Sequence, residues 1–196
     1  FQSGSGTMNS IERAKTQLTK LKDKPKFEKM LQVTAILTEL LETEGLYPII
    51  VGGLAVEVYT RGEYTTSDID LIFSQRQMAD KYLKQLGFIP EGRHWYHNEL
   101  MISIEIPGDM LEGADDERVI QLQLKDNLHV YVIGIEDIIL DRLRACVHWK
   151  SPSDCEWGKR LFLMHAQRLD LHYLTTTSHK DKTHHQLEQW IKELAD

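Results

Sequence analysis

The stretch VGGLAVEVYTRGEYTTSDIDLIF, residues 51–73, is the part of the sequence that decides the expected fold. Its first residues end a short apolar strand, which runs directly into the pair Gly52-Gly53. The next residues, up to Gly62, have the character of a short helix, and SDIDLIF has the β-branched and aromatic content of a strand. The stretch therefore predicts a strand, a glycine turn, a helix and a second strand in close succession.

The second strand carries two carboxylates on one face. Because side chains alternate along a strand, Asp68 and Asp70 point to one side and the apolar Ile69 to the other. Two acids at this spacing repel each other and disfavour β-structure. A divalent cation removes that cost, and Mg²⁺ favours sites in which one or two carboxylates are completed by substrate phosphates. The acidic face therefore predicts a site for Mg²⁺ or Mn²⁺.

The glycine pair predicts a phosphate site beside these acids. Glycine lets the backbone turn sharply and approach a ligand closely. The N-terminus of the following helix offers unpaired N–H groups and a partial positive charge, which suit a polyphosphate. Taken alone, Gly52 and Gly53 also fit an ordinary tight turn, so their meaning depends on the acidic strand that follows.

A third acid lies in the strand MISIEI, residues 101–106. Its isoleucines form one apolar face, and Glu105 stands on the other. If this strand lies beside SDIDLIF, Glu105 joins Asp68 and Asp70 on one surface. Three carboxylates on neighbouring strands can hold two metal ions around an in-line displacement at phosphorus, and Glu105 can accept the proton of a hydroxyl. Two alternatives stay open: Glu105 is an outward residue of an edge strand, or Asp109 is the third acid.

Together these motifs resemble the DNA polymerase β-type nucleotidyltransferase superfamily. Its pattern is a strand ending in Gly-Gly or Gly-Ser, a helix, an Asp-hydrophobic-Asp strand and a third acid on a later strand. The matching residues here are Gly52, Gly53, Asp68, Asp70 and Glu105. Residues 60–71 and 133–157 are also similar to the small bacterial toxin-type nucleotidyltransferases, the AbiEii-like group. In the second segment the matches are Arg142, Ala145 and Asp154.

The resemblance implies an α/β (α+β) fold: a mixed twisted sheet with helices packed on it and a helical C-terminal portion. It implies an enzyme that uses Mg²⁺ (or Mn²⁺) to move a nucleoside monophosphate from a nucleoside triphosphate to a hydroxyl, releasing pyrophosphate. Asp68 and Asp70 would bind both metals, and Glu105 would bind one and help to deprotonate the acceptor. Gly52 and Gly53 would hold the β- and γ-phosphates.

Further residues are weaker candidates for nucleotide contacts. Arg61, Thr66 and Ser67 lie near the mouth of the expected site, where a cation and hydroxyls would favour phosphate. From the C-terminal portion, Arg142 or Lys150 could close over the nucleotide.

The rest of the chain divides around this core. Residues 1–7, FQSGSGT, look like the remnant of an expression tag. Residues 8–45 predict N-terminal helices, 46–134 the α/β core, and 135–196 the helical C-terminal portion. Within these, helices are predicted over 9–22, 27–44, 75–86, 136–149, 153–168 and 181–195, and hairpins over 93–106 and 119–133.

The composition limits the kinds of binding partner that are expected. The net charge of −7 disfavours non-specific electrostatic binding to nucleic acid. The longest near-apolar stretch, 47–58, is too short and too interrupted by glycine to span a bilayer, so a soluble, cytoplasmic protein without a membrane partner is expected. Cys146 and Cys155 are then expected to be reduced thiols. The nine histidines follow no metal-binding spacing, and His94 and His97 are expected to face solvent.

The acceptor and the activity itself stay open at this stage. An RNA end, a protein hydroxyl and a small molecule all fit as acceptors. A rival hypothesis is a catalytically inactive nucleotidyltransferase-fold protein that only binds, as a toxin–antitoxin component with an antitoxin partner or as a nucleotide sensor. A third is a generic α/β domain whose acidic strand face meets solvent. The place of Glu105 relative to Asp68 and Asp70 separates the first two hypotheses.

Overall fold

The computed structural model describes residues 4–196, with side chains from residue 10 onward. The expected tag remnant at 1–7 therefore lies partly outside the described residues. The helices are α1 (Gly4–Thr19), α2 (Lys26–Glu42), α3 (Gly52–Tyr59), α4 (Arg76–Gln85), α5 (Ile135–His148), α6 (Pro152–His165), α7 (Leu171–Lys180) and α8 (His184–Glu193). The strands are β1 (Ile49–Val51), β2 (Asp68–Ile72), β3 (Ile89–Glu91), β4 (His94–His97), β5 (Ile102–Gly108), β6 (Ile120–Gln123) and β7 (His129–Val132).

The strands form one mixed sheet in the order β3-β4-β5-β2-β1-β7-β6. The central strand β2 pairs antiparallel with β1 and parallel with β5. β1 pairs parallel with β7, while β3–β4, β4–β5 and β6–β7 are antiparallel pairs. The expected mixed sheet with a helical C-terminal portion is confirmed.

The two central strands have one buried face and one half-exposed face. Ile69 and Leu71 of β2 and Ile102 and Ile104 of β5 are each 0 % exposed. Helix α2 contacts both β2 and β7, so the apolar stripe of α2 covers part of the sheet. The opposite face keeps its polar side chains, and the functional residues predicted on β2 and β5 lie there.

Two elements were not predicted. Strand β3, with the sequence IPE, is exposed at all three residues and contains a proline, so it shows no alternation of polar and apolar residues. Helix α7 contains the run Thr175–Thr177, whose β-branched side chains disfavour a helix. Its first turn is capped by Asp170, whose side chain accepts a hydrogen bond from the Tyr173 N–H at 3.0 Å.

The two cysteines correct an expectation. Cys146 and Cys155 are joined by a disulfide, with their Cα atoms 4.6 Å apart, and are not reduced thiols. Helices α5 and α6 pack against each other after the short turn 149–151, and this places the two side chains opposite one another. The separation of nine residues between the two cysteines does not predict the disulfide, because its formation depends on how the two helices pack.

No helix within residues 4–196 is long and apolar enough to cross a membrane.

Candidate active site

The three predicted acids lie on one face of the adjacent strands β2 and β5. In the parallel ladder, Asp70 pairs with Glu105 and Asp68 pairs with Ser103, so all three carboxylates share a side of the sheet. Asp70 is half-buried. Its burial, and then the charges of Glu105 and Asp68, raise the pKa of Asp70 to about 6. The sheet therefore concentrates negative charge at this point.

The first glycine of the pair lies against the central acid. Val51 of β1 pairs with Asp70 of β2, and Gly52 follows directly as the first residue of α3. Gly52 has φ +61, and a Cβ on it would lie 2.6 Å from Oδ2 of Asp70. Only glycine satisfies both the left-handed backbone and the close approach. The glycine pair thus forms the first turn of the helix and not a turn that precedes it.

The second glycine lies against the loop that leads to β2. A Cβ on Gly53 would lie 2.6 Å from Oγ1 of Thr66. The Thr66 N–H donates a hydrogen bond to Oε1 of Glu57 at 3.0 Å. Glu57 is only 4 % exposed, and this burial raises its pKa. Glu57 therefore anchors Thr66 beside the glycine turn. Glu57 was not among the predicted site residues, and its single signal in the sequence is an acid inside the apolar segment LAVEVY.

A cavity of about 330 Å³ opens beside Asp70. Gly52 and Asp70 form part of its wall, the loop after β5 contributes Met110 and Leu111, and α5 contributes Arg142. The glycine turn, the central acid and the C-terminal helical portion therefore all contribute to the wall of this cavity.

Arg142 brings a cation into that wall. Its guanidinium donates to Oδ2 of Asp141 at 2.6 and 3.1 Å and to Oδ1 of Asp154 at 3.0 Å. Burial disfavours its charge, but the two carboxylates outweigh burial and raise the pKa of Arg142. The Arg142 and Asp154 positions, which were matched only by resemblance, are thus in direct contact.

A histidine joins the acid cluster. His94 of β4 pairs with Glu105 of β5, and its Nε2 lies 3.3 Å from Oε2 of Glu105. The His94 side chain keeps 42 % of its surface exposed, as expected, whereas the expectation that His97 faces solvent was wrong. His97 is half-buried against Phe88, its Nδ1 accepts a hydrogen bond from the Leu100 N–H at 3.2 Å, and burial lowers its pKa.

Several weaker candidates lie apart from the cavity. Arg61 is exposed and lines a separate cavity beside the C-terminal end of α6, together with His165. Ser67 and Lys150 are exposed, and neither lines the cavity at Asp70. Asp109, the alternative third acid, is exposed in the loop after β5. Of the candidates, the structure brings together the glycine pair, Thr66, the three acids and Arg142.

The acid cluster suits a metal that substrate helps to bind. Within the described residues, no three His, Cys, Asp or Glu side chains are arranged as a complete metal site. The donor chemistry of Asp68 and Asp70 nevertheless fits Mg²⁺, which binds proteins through one or two carboxylates plus substrate phosphates. The raised pKa of Asp70 reflects its burial first and then the repulsion from Glu105 and Asp68, and such an ion would relieve that repulsion.

Comparison with known proteins gives the family. Residues 28–193 match the family described as "Nucleotidyltransferase of unknown function (DUF6036)". The matched region runs from α2 into the end of α8 and contains the glycine pair, the acid cluster and Arg142. A comparison with curated proteins finds no match. Because the match covers most of the chain, the protein belongs to the nucleotidyltransferase family DUF6036.

Proposed function

We propose that the protein is a Mg²⁺- or Mn²⁺-dependent nucleotidyltransferase that moves a nucleoside monophosphate from a nucleoside triphosphate to a hydroxyl acceptor and releases pyrophosphate. One observation carries the proposal: the Gly52 turn lies against the carboxylate of Asp70, and Glu105 is the neighbour of Asp70 across the β2–β5 ladder. The residues proposed for the phosphate site, the metal and the base are thereby adjacent. The family supports a nucleotidyltransferase at the level of the enzyme class.

Asp68 and Asp70 would hold the metal, with Glu105 as the third ligand. When bound, the ion would supply positive charge to the phosphates during transfer. The carboxylates would at the same time lose the mutual repulsion that, after burial, raises the pKa of Asp70.

The polyphosphate would lie between the first turn of α3 and helix α5. The backbone N–H groups at Gly52 and Gly53 are at a helix N-terminus, which favours an anion. Thr66 offers a hydroxyl beside Gly53, and Arg142 offers a guanidinium in the wall of the cavity at Asp70. Positioning and charge neutralisation by these groups would supply most of the rate. Arg61 and Ser67 stay untested candidates outside this cavity.

The reaction itself needs one base. The acceptor oxygen would form a bond to the α-phosphorus while the bond from that phosphorus to the bridging oxygen breaks, and pyrophosphate would leave. Glu105 would take the hydroxyl proton. His94, 3.3 Å from Glu105, would orient this carboxylate.

Label transfer tests the proposal. The protein is incubated with Mg²⁺, each of the four nucleoside triphosphates, and RNA, protein or small-molecule fractions of a cell extract. We expect label from the α-phosphate, and none from the γ-phosphate, to reach an acceptor. Asp70→Asn should reduce transfer about 100-fold or more, as for other removals of transition-state stabilisation. The matched control Asp109→Asn, at an exposed site, should retain transfer. Absence of transfer with all nucleotides and fractions would contradict the proposal.

A second candidate is a protein of this fold that binds nucleotide without transferring it. Two observations favour it: within the described residues no complete three-ligand metal site is formed, and the Glu105 carboxylate is engaged by His94. This candidate predicts that Mg²⁺ and a nucleotide raise the melting temperature although no label is transferred, because a ligand of the native state stabilises it.

The finer assignment to the AbiEii-like, toxin-type group is also a proposal. It is supported by the similarity of residues 60–71 and 133–157, and the contact between Arg142 and Asp154 lies in the second segment. A toxin of this kind would arrest growth when expressed in a bacterial host, and a partner antitoxin would relieve the arrest. The Asp70→Asn variant should then be harmless at equal expression.

The net charge of −7 argues against a long nucleic acid as acceptor.

A further inference from the structure

The helix pair α5–α6 carries both the cation of the cavity and a disulfide. Arg142 and Cys146 are four residues apart on α5, so they lie on the same face of that helix. Their partners Asp154 and Cys155 are consecutive residues in the first turn of α6. The ion pair and the disulfide therefore join the same two helix segments at adjacent points.

The ion pair holds the guanidinium in one orientation. Arg142 has five N–H donors, of which three are used by Asp141 and Asp154, so that two are left for a ligand. Asp154 is itself fixed at the start of α6, where its N–H donates to Oγ of Ser151 at 3.3 Å. Because Arg142 lines the cavity beside Asp70, the residue lies in the region proposed for the polyphosphate.

We propose that Asp154 and the Cys146–Cys155 disulfide position Arg142 for anion binding, so that reduction of the disulfide weakens binding of the polyphosphate. The inference rests on the proposed function, since it concerns the phosphate side of the same cavity. Asp154 acts through Arg142 and is a positioning residue. The disulfide holds the first turn of α6 against α5 and thereby keeps Asp154 within reach of the guanidinium.

Reduction removes this restraint without changing any charge. A dithiol gives two electrons and two protons to the bond between the sulfur atoms; the protein gains two S–H groups, and the reagent closes to its own disulfide. Cys155 is half-buried, which leaves the bond partly accessible to such a reagent. With the first turn of α6 less restrained, Arg142 must be ordered when the anion binds. Ordering one such side chain corresponds to an increase in Kd of about 2- to 10-fold.

Calorimetric titration with inorganic tripolyphosphate and Mg²⁺ tests the inference, because this probe needs no choice of base. The oxidised full chain is compared with the same chain after dithiothreitol, with the thiol state checked by mass spectrometry. We expect Kd to rise by about 2- to 10-fold on reduction. The Cys146→Ser/Cys155→Ser variant should bind like the reduced chain and be insensitive to dithiothreitol.

Arg142→Gln shows whether the effect passes through Arg142. This variant should bind tripolyphosphate more weakly, with the same Kd in both redox states, because removal of one partner abolishes a true coupling. The inference is overturned if the wild-type Kd does not change on reduction, or if Arg142→Gln keeps the full redox effect. Thermal unfolding of the reduced chain establishes that it stays folded at the temperature of titration.

A measurement without ligand separates this inference from the proposed function. If tripolyphosphate binds in neither redox state, the proposed phosphate site fails, whereas the positioning of Arg142 is decided by NMR of the free protein. We expect the Nη1–H of Arg142, which donates to Asp154, to exchange with water more than 2-fold faster after reduction, a change within the range for one side chain released. An unchanged exchange rate would then overturn the inference.

Discussion

Gly52 and Asp70 lie so close that a methyl group on the glycine would come within 2.6 Å of Oδ2 of the aspartate. The contact joins the start of α3 to the acidic strand, so the phosphate side and the acidic side of the cavity share one boundary. Any side chain at position 52 must displace the Asp70 carboxylate or separate β1 from β2.

Gly52→Ala should therefore both destabilise the fold and weaken nucleotide binding. The positive φ costs a residue with a Cβ about 1–2 kcal/mol, and the clash with Asp70 adds about 1–3 kcal/mol. Gly92 provides the matched control, since its φ of +60 is nearly that of Gly52 but nothing lies within 4 Å of its Cβ position. Urea unfolding should show the smaller loss for Gly92→Ala, and equal losses for both variants would contradict the clash.

Asp70→Asn should stabilise the metal-free protein at neutral pH. The folded-state pKa of Asp70 is about 6, above its ordinary value, owing to burial and the charges of Glu105 and Asp68. A raised folded pKa means that the stability contribution of Asp70 is fully present below about pH 4 and is lost as pH rises through about 6. Since Asp70 is only half-buried, solvent screening reduces the gain from Asn to about 1–2 kcal/mol at pH 7.5.

Urea unfolding in EDTA at pH 7.5 and pH 4 measures that gain. The advantage of Asp70→Asn should shrink toward zero at pH 4, where the wild-type carboxyl is protonated. Asp109→Asn, at an exposed site, should change little at either pH. A loss of stability at pH 7.5 in the Asp70 variant would mean that the carboxylate has a stabilising partner.

The shared face of the three acids could be predicted from sequence, because it depends only on alternation and on which strands are neighbours. Asp68, Asp70 and Glu105 keep their side of the sheet under any even shift of register. The buried face of β2 could be predicted from alternation along the strand, and the start of α3 could be predicted from the position of the glycine pair.

The role of His94 could not be predicted, because it depends on the length of a turn. A two-residue turn at 98–99 would place Glu105 opposite Gly92. The chain instead turns through residues 98–101, and the Met101 N–H donates to the His97 carbonyl at 2.8 Å. This moves the register by two and brings His94 opposite Glu105. The disulfide and the ion pair between Asp154 and Arg142 could not be predicted either, because local sequence patterns do not show how separate helices pack.

Tyr173→Phe should loosen the C-terminal helical portion. The Tyr173 hydroxyl on α7 donates to Asp137 on α5, a carboxylate that is 1 % exposed and also accepts from the Asp115 N–H at 2.8 Å. Removing a donor to a buried acceptor costs about 1–3 kcal/mol. Chemical denaturation measures this loss. Tyr47→Phe, at a residue that stacks on Tyr131 and is 45 % exposed, should change stability by less than about 0.5 kcal/mol. Equal changes in the free energy of unfolding for the two variants would mean that the Tyr173 hydroxyl does not stabilise the fold.

Gly158→Ala should destabilise the protein, although the same change in a helix interior is normally favourable by about 1 kcal/mol. A Cβ on Gly158 would lie 2.7 Å from Cη2 of Trp190 and 3.2 Å from Cβ of Arg142. Trp190 is 2 % exposed, so its ring is enclosed by the protein, and overpacking of this kind costs about 1–3 kcal/mol. In a Trp190→Phe background, where the ring is smaller, urea unfolding should give a smaller cost for Gly158→Ala. If Gly158→Ala stabilises the protein instead, α6 or Trp190 can move to accommodate the Cβ without cost, and the close packing around Gly158 is not a constraint of the fold.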